Sequence, residues 1–143
     1  TVENSLADDP SATIRQQKVS DTKNRVSLIN SIENARLISI HQNYFPERKY
    51  SGAQVFYAKT EGSHALAERM QKMFTESVNQ GSRRQCKTSQ GIYLMEHINC
   101  TAVLVECGFL SNPEEEARLR DDAYQRKLCC IMATAAACYM ADT

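Results

Sequence analysis

Residues 101–116 have the sequence TAVLVECGFLSNPEEE, which predicts a strand, a turn and a helix in that order. The segment 101–105 is continuously apolar, a pattern typical of a strand that is covered by helices on both faces of a sheet. Gly108 permits a tight turn, and Ser111 or Asn112 is suited to cap a helix whose first turn holds a proline and three glutamates. The stretch therefore predicts an α/β fold.

Glu106 follows this predicted strand directly. In open α/β sheets, functional sites gather in the crevice beyond the carboxyl ends of the strands. A glutamate at a strand end is more often a salt-bridge partner or a solvated side chain, and both interpretations stay open on position alone. Glu106 is thus a candidate catalytic carboxylate.

The remaining pattern predicts further helices and strands in one domain. Residues 1–18 show neither a helical nor a strand period and are predicted to form an irregular loop. A helix is expected to start at Ser20 or Asp21, with Val26, Leu28, Ile29 and Ile32 as its apolar stripe. The further predicted helices span 20–34, 63–78 and about 121–139, and the further predicted strands span 36–40, 53–57 and 92–95.

The composition excludes some classes of partner. The 143 residues carry 17 basic and 17 acidic side chains, a net charge of zero, so nothing indicates a nucleic-acid-binding surface. No apolar run approaches the roughly 18 residues that span a bilayer, so no membrane-spanning segment is predicted in this chain. The first residue is Thr1 and not methionine, and we therefore expect the chain to be a piece of a longer polypeptide.

The six cysteines do not have the spacing of a zinc knuckle or a redox motif. Cys129 and Cys130 are adjacent, a placement in which they can hardly bond each other without strain. We predict free thiols that act as small buried hydrophobic groups, with one disulfide left open as the alternative.

His41 follows the predicted strand 36–40 as Glu106 follows the strand 101–105. If the two strands are parallel neighbours, both side chains reach the same edge of the sheet. A neutral imidazole is the commonest zinc ligand, and a carboxylate beside such a metal is the usual base of a metallohydrolase. The alternative is a hydrogen-bonded structural histidine.

The loop 42–51 is polar and aromatic and is suited to line a groove beside these residues. Asn43 and Tyr44 come directly after His41 and are the candidate substrate-binding residues of this loop.

Four segments together resemble the zinc-dependent N-acetylmuramoyl-L-alanine amidases of the amidase-3 type. They are SIHQN at 39–43, SGAQVFY at 51–57, IYLM at 92–95 and LVECGFLSNPEEEARL at 104–119. Their order and spacing match over nearly the whole chain, and the last segment is highly specific. The sequences of the second and third segments are most similar to those of the sporulation amidases that act on spore-cortex peptidoglycan.

The resemblance implies a fold and a set of roles. The fold is a mixed, mostly parallel β-sheet flanked by helices on both faces. His41 matches a zinc ligand and Glu106 the catalytic base. The positions that match motif residues around the site or a helix that supports it are Asn43, the turn 108–112, Arg25 and Asn30.

The family binds its one zinc ion with two further ligands, a histidine in a DPGHGG-like loop and a glutamate on the first helix. Neither occurs in this sequence. We therefore expect residues 1–143 to be a single catalytic domain that lacks its first strand and helix, with zinc absent or incompletely ligated and activity lost. A separate N-terminal fragment, or self-association of the chain, is the expected protein partner.

The implied activity is hydrolysis of the amide bond between N-acetylmuramic acid and L-alanine of the peptidoglycan stem peptide, outside the cytoplasm in the cell wall or spore envelope. One alternative is a non-catalytic peptidoglycan-binding or interaction module of the same fold. Another is a zinc carboxypeptidase, which needs an arginine for the terminal carboxylate. Arg48 is the only arginine in the His41 loop, and nothing marks it for that role.

Overall fold

The computed structural model describes residues 5–143 and shows one four-stranded sheet with five helices around it in that range. Helices and strands are interspersed along the chain, as the sequence predicts. In chain order the elements are α1 Ile14–Asn30, β1 Arg36–Asn43, β2 Gln54–Tyr57, α2 Ser63–Ser77, β3 Lys87–Thr88, α3 Tyr93–His97, β4 Thr101–Phe109, α4 Pro113–Arg120 and α5 Asp122–Ala141.

The strand predicted from residues 101–105 is the centre of the sheet. The strand order is β1-β4-β2-β3, so β4 has a partner on each side. β1 pairs with β4 in parallel and β2 pairs with β3 in parallel, whereas β2 and β4 are antiparallel. The prediction of a mixed, mostly parallel sheet is therefore confirmed.

Helices cover both faces of the sheet, which explains why β4 is continuously apolar from Ala102 to Val105. Val103 and Val105 face a larger hydrophobic cluster that includes side chains of α2, α4 and α5. Ala102 and Leu104 face a smaller cluster that includes Met95 of α3 and is packed against by Ile29 of α1. Successive side chains of a strand point to opposite faces, so each face of β4 contributes to a different core.

The loop predicted for residues 1–18 is wrong from residue 14 onward, where α1 starts. The helix begins at Ile14 because Thr13 caps it: the Thr13 hydroxyl accepts from the Gln16 N–H, and the Gln16 side chain accepts from the Thr13 N–H. Residues 1–4 lie outside the described range. The predicted end at 34 is also wrong, because Ser31 caps the helix and Asn34 has a φ of 56°, in the left-handed region.

The predicted apolar stripe of α1 is only half correct. Val26 is buried and Ile29 packs against the smaller cluster, whereas Leu28 and Ile32 are exposed. α1 thus buries a narrow face, against α3 and the segment that leads to β4.

The predicted strand 92–95 is wrong, since residues 93–95 belong to the short helix α3 and Ile92 is its N-cap. The Glu96 carboxylate accepts a hydrogen bond from the Gly91 N–H at 2.6 Å, and the rings of Tyr93 and His97 stack with centroids 3.9 Å apart. Residues four apart are neighbours on a helix, so this pairing favours the helical form. A short apolar run does not distinguish the two states by its pattern.

The other helices begin close to their predicted positions. Asn112 caps α4 by accepting from the N–H groups of Glu114 and Glu115. For α2 the N-cap is Gly62 and not the predicted Ser63. The Ser63 hydroxyl instead accepts from the Ala102 N–H at 2.9 Å, which ties the start of α2 to β4. The predicted core positions of α5 that are buried are Leu128, Ile131, Met132, Ala135 and Tyr139.

All six cysteines lie in the described range and are free, as predicted. Their burial is not as predicted, because Cys107 alone is buried and Cys129, Cys130 and Cys138 on α5 are exposed. Among the described helices, none combines the length and the apolar character needed to cross a bilayer.

Candidate active site

His41 and Glu106 are direct partners in the parallel register of β1 and β4. The sequence prediction that two strands bring these residues to one place is confirmed. Neither residue ends its strand, however: β1 continues to Asn43 and β4 continues to Phe109. The pair therefore lies on the face of the sheet near its carboxyl edge and not beyond that edge.

The end of β4 contains a β-bulge. The predicted turn at Gly108 is wrong, because Gly108 lies within β4. Asn43 pairs with Phe109, so β4 advances three residues from Glu106 while β1 advances two from His41. Cys107 belongs to the larger cluster, and a Cβ on Gly108 would meet side chains of α4. The extra residue thus returns Phe109 to the face that carries Glu106.

The Glu106 carboxylate is half-buried, and one of its two oxygens has no hydrogen-bond partner among the described residues. Its Oε2 atom is buried and accepts no hydrogen bond from any described residue. Burial raises the pKa of the Glu106 carboxyl above its ordinary value, and the charge of a protonated His41 opposes that rise. A buried carboxylate oxygen without a partner is costly, and such groups occur at sites that receive a proton or a ligand.

His41 is exposed, and its Nε2 atom lies 2.8 Å from the hydroxyl oxygen of Ser39. Ser39 precedes His41 by two residues and so lies on the same face of β1. The hydroxyl can donate to or accept from the ring, and it fixes the ring orientation in either case. An exposed imidazole beside a carboxylate suits metal ligation.

The residues of this site fit one ligand and one base of a zinc centre, but not the whole centre. A catalytic zinc ion normally takes three protein ligands. No group of three His, Cys, Asp or Glu side chains placed to hold a metal ion occurs in residues 5–143.

A second wall of the site was not predicted from the sequence. Gln54 of β2 is the register partner of Glu106 on the side away from His41. Arg84 donates from Nη1 to Gln54 Oε1 at 3.0 Å and from Nε to the Ser51 carbonyl at 2.8 Å. Its guanidinium carbon lies 5.1 Å from the centre of the Phe109 ring. The sequence shows Arg84 only as one charge in a polar connection, so no local signal identifies it.

The loop after β1 packs against Phe109 at the end of β4. The rings of Phe45 and Tyr50 are 5.0 Å apart, and those of Tyr50 and Phe109 are 6.2 Å apart. The Asn112 side chain donates to the backbone carbonyls of Arg48 and Tyr50, so the loop is tied to the start of α4.

The two predicted substrate-binding residues differ in exposure. Tyr44 is 70% exposed. Asn43 is half-buried, and its backbone carbonyl accepts from the Leu110 N–H at 2.8 Å. Tyr44 is thus the more accessible of the two.

The predicted supporting residues Arg25 and Asn30 do not contact this site. Asn30 donates to the His97 carbonyl and accepts from the Asn99 N–H, both at 2.9 Å, before the first residue of β4. Arg25 pairs with Asp21 on its own helix. Asn30 fastens α1 to the segment that enters β4.

Comparison with known proteins agrees with the resemblance that the motifs show. The family model described as N-acetylmuramoyl-L-alanine amidase, of the amidase-3 type, matches residues 2–137. The germination-specific N-acetylmuramoyl-L-alanine amidase of Bacillus subtilis is 39% identical over 116 residues, which are 79% of this chain and 48% of that protein.

Two solved structures show the same fold. The CwlD amidase of Clostridioides difficile, solved in complex with the GerS lipoprotein, is 34% identical with a TM-score of 0.88 over 95% of this chain and 70% of that chain. The catalytic domain of the amidase CwlV from Bacillus (Paenibacillus) polymyxa is 27% identical with a TM-score of 0.72 over 83% and 65% of the two chains.

The chain spans about half the length of the Bacillus subtilis relative that it matches. The family model nevertheless covers nearly all of the present sequence, and the segments around His41 and Glu106 lie within the match. The chain therefore belongs to the amidase-3 family of N-acetylmuramoyl-L-alanine amidases.

Proposed function

We propose that the complete protein hydrolyses the amide bond between the lactyl group of N-acetylmuramic acid and the L-alanine of the stem peptide. The observation that carries this proposal is the pairing of His41 with Glu106, whose buried Oε2 atom has no hydrogen-bond partner among residues 5–143. The family assignment supports the same activity.

Glu106 is proposed as the general base. Its unpartnered oxygen accepts a proton from the attacking water, and the carboxyl then gives that proton to the leaving amine. His41 is proposed as one zinc ligand, held in orientation by Ser39. Zinc, when bound, lowers the pKa of water to about 7 and polarises the scissile carbonyl.

Asn43 and Tyr44 are proposed to contact the substrate beside this pair. Asn43 follows His41 by two residues on the same strand and so shares its face. Tyr44 is exposed and directly precedes Phe45, whose ring belongs to the aromatic array of Phe45, Tyr50 and Phe109. Sugar rings and peptide groups pack well on such aromatic surfaces.

The proposed place of action is peptidoglycan outside the cytoplasm, most specifically the spore cortex. The relative from Bacillus subtilis is named as germination-specific, and the Clostridioides difficile relative was solved with a lipoprotein. Both names support an envelope location for the complete protein.

A second candidate is a non-catalytic module that binds peptidoglycan or a protein partner. The incomplete ligand set around His41 within residues 5–143 favours it. A module of this kind binds muropeptides but releases no peptide from them, with or without added zinc.

The first test compares Glu106→Gln with the wild type in the full-length protein that carries this chain. The substituted amide keeps the size of the side chain but accepts no proton, so release of L-alanine-headed peptides from muropeptides should fall by about 10²–10⁴-fold while zinc content is unchanged. Glu114→Gln, at an exposed position on α4, is the matched control and should retain full activity. A Glu106→Gln protein with wild-type turnover would disprove the base assignment.

The second test addresses the metal. His41→Ala should lower the zinc content of the same full-length protein, measured by elemental analysis after dialysis. His64→Ala removes an exposed imidazole from α2 and should leave the zinc content unchanged. Equal zinc in both variants would argue against His41 as a ligand.

A further inference from the structure

We propose that Arg84 binds a carboxylate of the stem peptide, the one on the residue that follows L-alanine. The inference rests on the proposed amidase function and adds the group that sets its preference among stem peptides. It assigns a specificity-determining role to a residue outside the His41 and Glu106 pair.

The guanidinium of Arg84 is held in place before any ligand arrives. Nε donates to the Ser51 carbonyl, Nη1 donates to Gln54 Oε1, and the guanidinium carbon lies 5.1 Å from the centre of the Phe109 ring. Gln54 is itself buried and donates to Gln71 Oε1, so this support is rigid. A side chain already ordered in this way loses little entropy when it binds an anion.

The same contacts leave donors for a ligand. Within residues 5–143, Nη2 of Arg84 makes no hydrogen bond, and no carboxylate pairs with the guanidinium. Arg84 is only partly buried. Guanidinium groups bind carboxylates strongly because they present charged donors in a planar fork.

Arg84 flanks Glu106 on the side away from His41. Two of the residues that support it lie beside Glu106: Gln54 is the cross-strand partner of Glu106, and Phe109 is the next residue along β4 on the same face. Neighbouring strands lie about 4.8 Å apart, and the length of an arginine side chain adds to the distance between Glu106 and the guanidinium. The span from Glu106 to the guanidinium is therefore on the order of two or three extended residues, at about 3.3 Å each.

That span selects one carboxylate of the stem. The scissile bond lies on the amino side of L-alanine, and the second residue is a glutamate linked through its side chain, so its α-carboxyl group is free or amidated. A terminal carboxylate of a four- or five-residue stem lies farther away. This choice also separates the proposal from a carboxypeptidase, which would bind the terminal group.

The experiment measures muropeptide binding by calorimetry in the full-length Glu106→Gln protein, where turnover does not interfere. Two muropeptides are compared that differ only at the second stem residue, with a free carboxylate in one and a primary amide in the other. The free acid should bind about 10–100-fold more tightly, as a charge-assisted pair predicts. Equal affinities would overturn the proposal, whatever the behaviour of any Arg84 variant.

Arg84→Gln in the same background should remove that difference by weakening the free acid and leaving the amide nearly unchanged. Arg84→Lys should keep part of the preference, since it keeps the charge but loses the planar fork. Arg83→Gln, at the exposed neighbouring position, is the matched control and should keep the preference in full. A uniform loss of affinity for both ligands in Arg84→Gln would show a structural role and overturn the proposal.

A third muropeptide, shortened at the carboxyl end of the stem, tests the alternative anion. Affinity that is unaffected by this shortening supports the second residue as the ligand, and a loss of the Arg84-dependent affinity transfers the contact to the terminal carboxylate and overturns the proposal. Failure of the amidase proposal has a different signature, because the wild-type protein would then release no peptide even from the stem that it binds best.

Discussion

The Glu115 carboxylate accepts a hydrogen bond from the Phe109 N–H at 2.8 Å through one oxygen and from the Gly52 N–H at 2.8 Å through the other. Glu115 is buried, with only 4% of its surface exposed. One buried side chain on α4 thus fastens the end of β4 to the loop that enters β2. Both Phe109 and Ser51, which support Arg84, depend on this link.

Replacing Glu115 by alanine should destabilise the fold by about 3 kcal/mol, because two buried N–H groups lose their acceptors. Urea unfolding of the purified protein measures the change. Glu115→Gln should lose roughly half as much, since its amide oxygen still accepts one bond.

Glu114→Ala is the control for this comparison, as its side chain is exposed on the same helix turn. We expect a change of less than about 0.5 kcal/mol for it. Equal losses at positions 114 and 115 would show that the effect comes from the helix terminus and not from the bridge.

A side chain at Gly62 should destabilise the fold through a clash with Tyr139, and this effect can be separated from backbone strain. It has a φ of 75°, and a Cβ there would lie 2.0 Å from the Tyr139 hydroxyl oxygen. Gly62→Ala should therefore destabilise the protein by roughly 2–4 kcal/mol, from strain and from the displaced Tyr139 ring together.

Gly81→Ala provides the strain alone, since Gly81 has a φ of 81° and no described atom lies within 4 Å of its added Cβ. A cost of about 1 kcal/mol is expected, measured by urea unfolding. Tyr139→Phe removes the hydroxyl and should partly restore Gly62→Ala. If the double variant is no more stable than additivity predicts, the contact with Tyr139 is not the cause.

The sequence predicted the elements whose signals are local. The apolar run of β4 and the Asn112 cap of α4 are each contained in a few neighbouring residues, and both are present in the fold. The same holds for the buried face of α5. The irregular start predicted for residues 1–18 is wrong only from Ile14 onward, because the Thr13 and Gln16 cap was not recognised.

The site was predictable only where motif residues directly follow the apolar part of a strand. His41 and Glu106 could be paired in advance because parallel neighbours bring equivalent positions together. Arg84 could not, since its contacts with Ser51, Gln54 and Phe109 join segments 25 to 33 positions apart in the chain. Such contacts depend on the sheet order and on the bulge in β4, and neither leaves a local pattern.

Cys107 should be the slowest of the cysteines to react. Burial raises the pKa of its thiol to about 11, and the thiolate is the reactive form. Alkylation by iodoacetamide at pH 8, followed by peptide mass mapping, should label the exposed Cys129 and Cys130 first. Rapid labelling of Cys107 in the folded protein would contradict its burial.

The same thiol makes stability depend on pH. Because the folded pKa of about 11 lies above the ordinary value of 9.0, the contribution of Cys107 is fully present below pH 9 and is lost as the pH rises toward 11. The free energy of unfolding of the wild type, minus that of Cys107→Ala, should therefore fall between pH 9 and pH 11. A constant difference would show that the thiol does not titrate with the fold.

The outer edge of β1 should make the chain self-associate. β1 is eight residues long and pairs through one edge with β4, while its other edge meets no described strand. Ile40 on this strand is 58% exposed, so the edge offers both unpaired backbone groups and apolar surface. We expect the molar mass of the 143-residue chain in light scattering to rise with concentration.

Ile40→Lys should reduce that rise, because a charge on an edge strand opposes pairing, whereas Leu28→Lys on the exposed face of α1 should not. A monomer at every concentration would show that this edge is protected.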